Sequence, residues 1–78
     1  MKQNTDLEDC PVKTYGKSEL AMKYCPNAEP ASAVRTLMRW IKRNKELSAG
    51  LDEIGYYPLR RTFFSREVEL IFNYLGKP

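Results

Sequence analysis

Residues 30–44 constrain this chain of 78 residues more than any other stretch. Val34, Leu37, Met38 and Ile41 follow the i, i+3, i+4, i+7 spacing of one helix face. Stepping about 100° per residue, the four fall within an arc of about 100°, the width of a stripe that packs on a core. Pro30 or Ala31 opens the helix, because proline is tolerated in a first turn. On the same projection Lys42, Arg35, Arg39 and Arg43 lie at about 80°, 100°, 140° and 180° from Val34, and Ser32 and Thr36 lie near 160° and 200°. No Asp or Glu interrupts residues 30–45. The segment therefore predicts a helix with one aliphatic side, for which the rest of the chain must supply a core, and one basic side carrying two small hydroxyls.

At 9.1 kDa the chain suffices for one domain that buries roughly 63% of its unfolded surface, which leaves little room for a deep substrate pocket. Punctuation sets the other elements. Gly16-Lys17-Ser18-Glu19 has the spacing of a capping box, so a helix of about eight residues starts near Gly16, carries Leu20, Ala21 and Tyr24 on its apolar edge, and ends before Pro26. Asn27 to Pro30 is a turn. Leu47, Leu51 and Ile54 mark a third helix over about 45–54, weakened by Gly50 and closed by Gly55. Tyr56 to Phe64 is rich in β-formers around Arg60-Arg61 and predicts a short hairpin or an extended loop. Ser65 is expected to cap a last helix with Val68, Ile71, Phe72 and Leu75 inward and Gly76 and Pro78 at its stop. Residues 1–12 are polar and aperiodic and read as a flexible tail, leaving 13–78 as the domain. The expected fold is mainly α: a compact helix-turn-helix bundle of three to four helices with a short β-hairpin or β-rich wing.

Composition favours binding over chemistry. The chain has no histidine, which excludes Ser-His-Asp and Cys-His catalysis. Glu67 and Glu69 are two residues apart and do not share a helix face as an acid/base pair. Gly16-Lys17-Ser18 matches the end of a phosphate-binding loop, but the required earlier glycine is Pro11. Cys10 and Cys25 are read as free thiols, and without histidine they make a poor metal site. We therefore expect no enzyme activity, no cofactor, no metal and no small-molecule substrate. The longest uncharged run, Leu70 to Gly76, is too short to span a bilayer. The polar start Met1 to Asp6 lacks the apolar stretch of a signal peptide, so a cytoplasmic protein without a membrane partner is expected.

Charge is unevenly distributed. Residues 1–9 hold one Lys against Asp6, Glu8 and Asp9, a net of −2, whereas 10–78 hold 12 basic and 7 acidic residues, a net of +5. Repeated cations at helical spacing with small hydroxyls between them suit DNA phosphates, and arginine also pairs with guanine in the major groove. A solvated polar face is the competing reading of the same helix. The order of a short helix, a turn and a longer basic helix favours the helix-turn-helix. The candidate duplex-DNA contacts are Ser32, Arg35, Thr36, Arg39, Lys42 and Arg43, with Arg60 and Arg61 on flanking backbone or minor groove. The alternative is a protein-interaction module, an adaptor or anti-regulator, using Trp40, Tyr57, Leu70 and Tyr74. Trp40, at the flank of the core stripe, is expected to be partly buried against the third helix. Leu70 and Tyr74 lie opposite the inward stripe of the last helix and either pack on the same chain or form a homodimer face.

Thr14-Tyr15-Gly16-Lys17-Ser18-Glu19-Leu20-Ala21, Cys25-Pro26, Pro30-Ala31-Ser32-Ala33-Val34-Arg35, Arg39-Trp40-Ile41, Phe64-Ser65-Arg66-Glu67-Val68 and the close Tyr74-Leu75-Gly76-Lys77-Pro78 resemble an uncharacterised family of short bacterial proteins, the domain-of-unknown-function family 4248. The likeness covers about residues 13–78 and implies a compact single domain without assigning an activity. Tyr15, Glu19, Leu20 and Ala21, followed by Arg35 and Arg39 and then by Arg60-Arg61 and Phe63-Phe64-Ser65, are more loosely similar to the winged helix-turn-helix of excisionases and mercury-resistance-type regulators. The 45–54 segment departs from that pattern. That resemblance implies a fold and a DNA partner by analogy.

Overall fold

The computed structural model describes residues 10–78. The elements run β1 (Tyr15–Gly16), α1 (Lys17–Tyr24), α2 (Pro30–Arg43), α3 (Lys45–Glu53), β2 (Thr62–Phe63) and α4 (Ser65–Leu75). The fold is mainly α with a short antiparallel β pair.

The two strands come from opposite ends of the domain. Tyr15 pairs with Phe63 and Gly16 with Thr62, and the Lys17 N–H extends the pairing by donating to the Arg61 carbonyl at 2.8 Å. Residues 56–64 thus form no hairpin of their own. Each strand runs directly into a helix, and both helices are closed by the same device. The Gly16 N–H donates to Glu19 Oε1 at 3.1 Å and the Phe64 N–H to Glu67 Oε1 at 2.8 Å, each glutamate standing at the third helical position. The expected cap at Ser65 therefore shifts to Phe64, and Ser65 is the first helical residue. Asn44 caps α3, its side-chain oxygen accepting from the Leu47 N–H at 3.0 Å. Gly55, at φ 88°, and Gly76, at φ 85°, take the left-handed conformations that let the chain leave α3 and α4.

The core lies where the four helices and the β pair meet. Leu20 and Ala21 of α1, Ala33, Leu37 and Ile41 of α2, Leu47 and Leu51 of α3, and Val68, Ile71 and Phe72 of α4 are buried around Tyr15 and Phe63. Tyr56 stacks on Phe63 with ring centroids 5.4 Å apart. The buried stripe of α2 is rotated from the expected one: Ala33 is fully buried, whereas Val34 and Met38 are half-buried. The reason is the packing of α1 against that flank of α2, which covers Ala33. Trp40, on the same side, meets Tyr24 of α1 edge-on at 6.1 Å and is half-buried there, so its aromatic neighbour belongs to α1.

Leu70 is packed within the chain. A Cβ on Gly50 would come within 2.9 Å of Leu70 Cδ2, so the glycine that weakens α3 as a helix makes room for α4. Most of the expected tail lies outside the described residues. Of its last three, Cys10 is buried beside Tyr15, and Pro11 accepts a hydrogen bond from the Tyr15 hydroxyl at 2.7 Å. Cys10 and Cys25 are both free thiols.

Candidate nucleic-acid interface

Burying Ala33, Leu37 and Ile41 turns the opposite side of α2 to solvent. Ser32, Arg35, Arg39, Lys42 and Arg43 are all exposed, and Thr36, at the edge of the buried stripe, is half-buried. No carboxylate of the described residues lies within ion-pair distance of these four cations, because the single described salt bridge is elsewhere. Lys42 and Arg43 also stand in the last turn of α2, where positive charge suits the helix dipole. Among the described residues the face is therefore a row of cations without ion-pair partners, one and two turns apart along the helix. It offers phosphates repeated charge, and Ser32 adds a hydroxyl at its start.

Arg60 has a different fate from the one expected. Its guanidinium is paired with the buried carboxylate of Glu67, its Nε donates to the Thr62 carbonyl at 3.1 Å, and it lies over the Phe64 ring at 3.9 Å. Glu67 is only 1% exposed, and each of its two oxygens is used: one closes α4 and the other holds Arg60. Burial of a carboxylate requires such a partner. Arg60 is thereby a strut of the fold and is withdrawn from the set of ligand contacts. Arg61, next in sequence, is exposed. Sequence reading missed Glu67, although its spacing behind Phe64 repeats that of Glu19 behind Gly16.

Lys17 belongs to the same corner. Its Nζ donates to the Pro58 carbonyl and stands 5.5 Å from the Tyr56 ring. Burial and then the nearby Arg60 charge hold its pKa below the usual lysine value. Tyr56 is pushed up to about 12, chiefly by burial and then by the Glu67 carboxylate, with Arg60 opposing. Tyr15 is also pushed up to about 12, by burial first and then by its contact with Cys10.

The residues of the alternative interaction surface are dispersed. Tyr57 is on the loop before β2, Trp40 sits in an open cleft with Arg43, Asn44, Lys45, Glu46 and Leu75, and Leu70 is half-buried against Gly50. Tyr74 is exposed beside an acidic groove of α3 formed by Glu46, Asp52 and Glu53. Among the described residues no group of three or more potential metal ligands converges, and no helix is long and apolar enough to cross a membrane.

The family model described as "Domain of unknown function (DUF4248)" matches residues 11–78. No curated protein and no solved structure matches the chain.

Proposed function

We propose, on the premise that the chain belongs to the DUF4248 family and that this family's description assigns it no function, that the protein binds duplex DNA through α2 as a small transcriptional regulator or recombination accessory factor. The observation that carries this reading is the set Arg35, Arg39, Lys42 and Arg43, exposed on one face of α2 and without an ion-pair partner among the described residues. Repeated cations along one helix neutralise successive phosphates and release counterions, the dominant source of affinity for duplex DNA. The order α1, connection, α2 is that of a helix-turn-helix, whose second helix enters the major groove. Ser32 and Arg35, near the start of α2, would approach base edges, and Thr36, Arg39, Lys42 and Arg43 the groove walls. Exposed Arg61 would add a flanking contact in the manner of a wing.

The test is binding of mixed-sequence duplex DNA, followed by fluorescence anisotropy at several salt concentrations. Four or five phosphate contacts give a log–log slope of roughly −4. No binding at low salt, or an affinity flat between low and moderate salt, overturns the reading. The adaptor alternative receives less support, because its residues are dispersed and Leu70 is half-buried against Gly50 of α3.

A further inference from the structure

The turn before β2 presents apolar side chains to solvent. The Arg60 N–H donates to the Tyr57 carbonyl at 2.9 Å, closing a four-residue turn with Pro58 and Leu59 at its centre. Proline suits the first central position, and the second, which has no positive φ here, accepts most residues. Here the second is Leu59, 78% exposed, and Tyr57 beside it is 58% exposed. Neither side chain belongs to the core.

The tip is nevertheless held firmly. Lys17 Nζ donates to the Pro58 carbonyl, Arg60 Nε to the Thr62 carbonyl, and the Arg60 guanidinium is anchored on buried Glu67. A pair of apolar side chains held out in solvent on a turn whose backbone is tied by Lys17 and Arg60 conflicts with solubility. Conflicts of this kind between local chemistry and fold concentrate at binding sites. The charges that touch or adjoin the tip are Lys17, Arg60 and Arg61, and the one carboxylate in contact, Glu67, is neutralised by Arg60.

We propose that Tyr57 and Leu59 form an apolar wedge that enters the minor groove of duplex DNA and opens a base step, bending the duplex. The proposal rests on the duplex-binding reading of α2 and names a second contact for it. Lys17 and exposed Arg61, the cations beside the tip that no described carboxylate neutralises, suit phosphates on either side of the groove. A single turn matches a groove about 6 Å wide. It is far too small for a stable protein interface, which needs about 800 Å² from each partner. Apolar residues inserted at a base step unstack it and kink the duplex away from the minor groove.

The experiment measures energy transfer between dyes at the two ends of a short duplex, with anisotropy for affinity, for the wild-type chain, Leu59→Ala and the double variant Tyr57→Ser/Leu59→Ser. Both positions are exposed, and circular dichroism and thermal unfolding check that the variants fold as the wild type does. The expected result is bending by the wild type, reduced in Leu59→Ala and lost in the double variant. The double variant should also bind about fivefold or more weakly, with an unchanged salt slope, because no phosphate contact has been removed. Binding by the wild type without bending, or equal bending and affinity in the double variant, overturns the wedge alone and leaves the α2 reading standing. The second of those results is also the one expected of a tip that serves a protein partner. Failure of the wild type to bind duplex DNA overturns both.

Discussion

Arginine is used in two ways in this chain, and α2 can be set beside the segment from Tyr56 to Glu67 to see them. On α2, Arg35 and Arg39 extend from a helix whose other side is fully occupied by core packing, and no described carboxylate approaches them. Seven residues before Glu67, Arg60 is drawn inward by a carboxylate that cannot stay buried alone. The side chain is the same in both places, and what differs is the burial of the nearest acid. An exposed cation with no partner is available to a ligand, whereas one that neutralises a buried glutamate has already been spent on the fold.

Removing that glutamate should give the largest effect. Glu67→Ala strips Arg60 of its partner and opens the N-terminus of α4, so we expect a loss of about 3 kcal/mol in urea unfolding. Arg39→Glu tests the opposite side of the comparison. Unfolding stability should stay within about 0.5 kcal/mol, because the position is exposed. Duplex affinity should fall on the order of tenfold or more, and the salt slope should become shallower by at least about 1. Equal losses of stability in the two variants would erase the distinction between the regions.

Much of this fold was legible in the sequence because it is written locally. Gly16 with Glu19, Pro26, Pro30 and Gly55 set helix ends through interactions three or four residues long, and α1, α2 and α3 begin and end within a residue of the expected places. The exposed face of α2 was equally legible, since helical periodicity alone turns Arg35 and Arg39 away from Leu37 and Ile41. Contacts between distant segments were not. Nothing near Phe63 announces that its partner is Tyr15, and nothing near Gly50 announces Leu70. Arg60 was misread for the same reason. Its role depends on the burial of Glu67, which depends in turn on how α4 meets the β pair. Thr36 and Ala33 show the limit of periodicity itself, since the angle of the buried stripe was set by α1 rather than by the most apolar residues.

Alkaline titration probes the aromatic floor beneath Arg60. Tyr56, pushed up to about 12, keeps its proton in the folded state when the unfolded phenol, near 10, has lost it. The unfolded state then binds fewer protons, so stability is fully present below about pH 10 and declines as pH rises toward 12. Tyr15 acts in the same direction. Tyr56→Phe loses only a weak hydroxyl contact to Met38 Sδ at 3.7 Å, so it should match the wild type at neutral pH and show a shallower alkaline decline. Unfolding midpoints measured across that window, with phenolate absorbance as the titration signal, check this. An identical decline in the variant would place the raised phenol elsewhere.

The smallest expected effects come from exchanging arginine for lysine, which keeps charge and changes shape. At position 60 shape matters, because the guanidinium has to reach the Thr62 carbonyl and Glu67 together while lying flat on Phe64. Arg60→Lys should cost about 1 kcal/mol of stability. At position 39 the outcome depends on what the side chain would touch. A phosphate accepts a point charge almost as well as a fork, so Arg39→Lys should change duplex affinity by less than about threefold and leave the salt slope alone. A guanine edge read by both guanidinium nitrogens would instead lose about 1–3 kcal/mol on the preferred sequence and almost nothing on others. Anisotropy on a selected duplex and on a scrambled one separates the two. A uniform small loss assigns Arg39 to the backbone, and a loss confined to the selected duplex assigns it to a base.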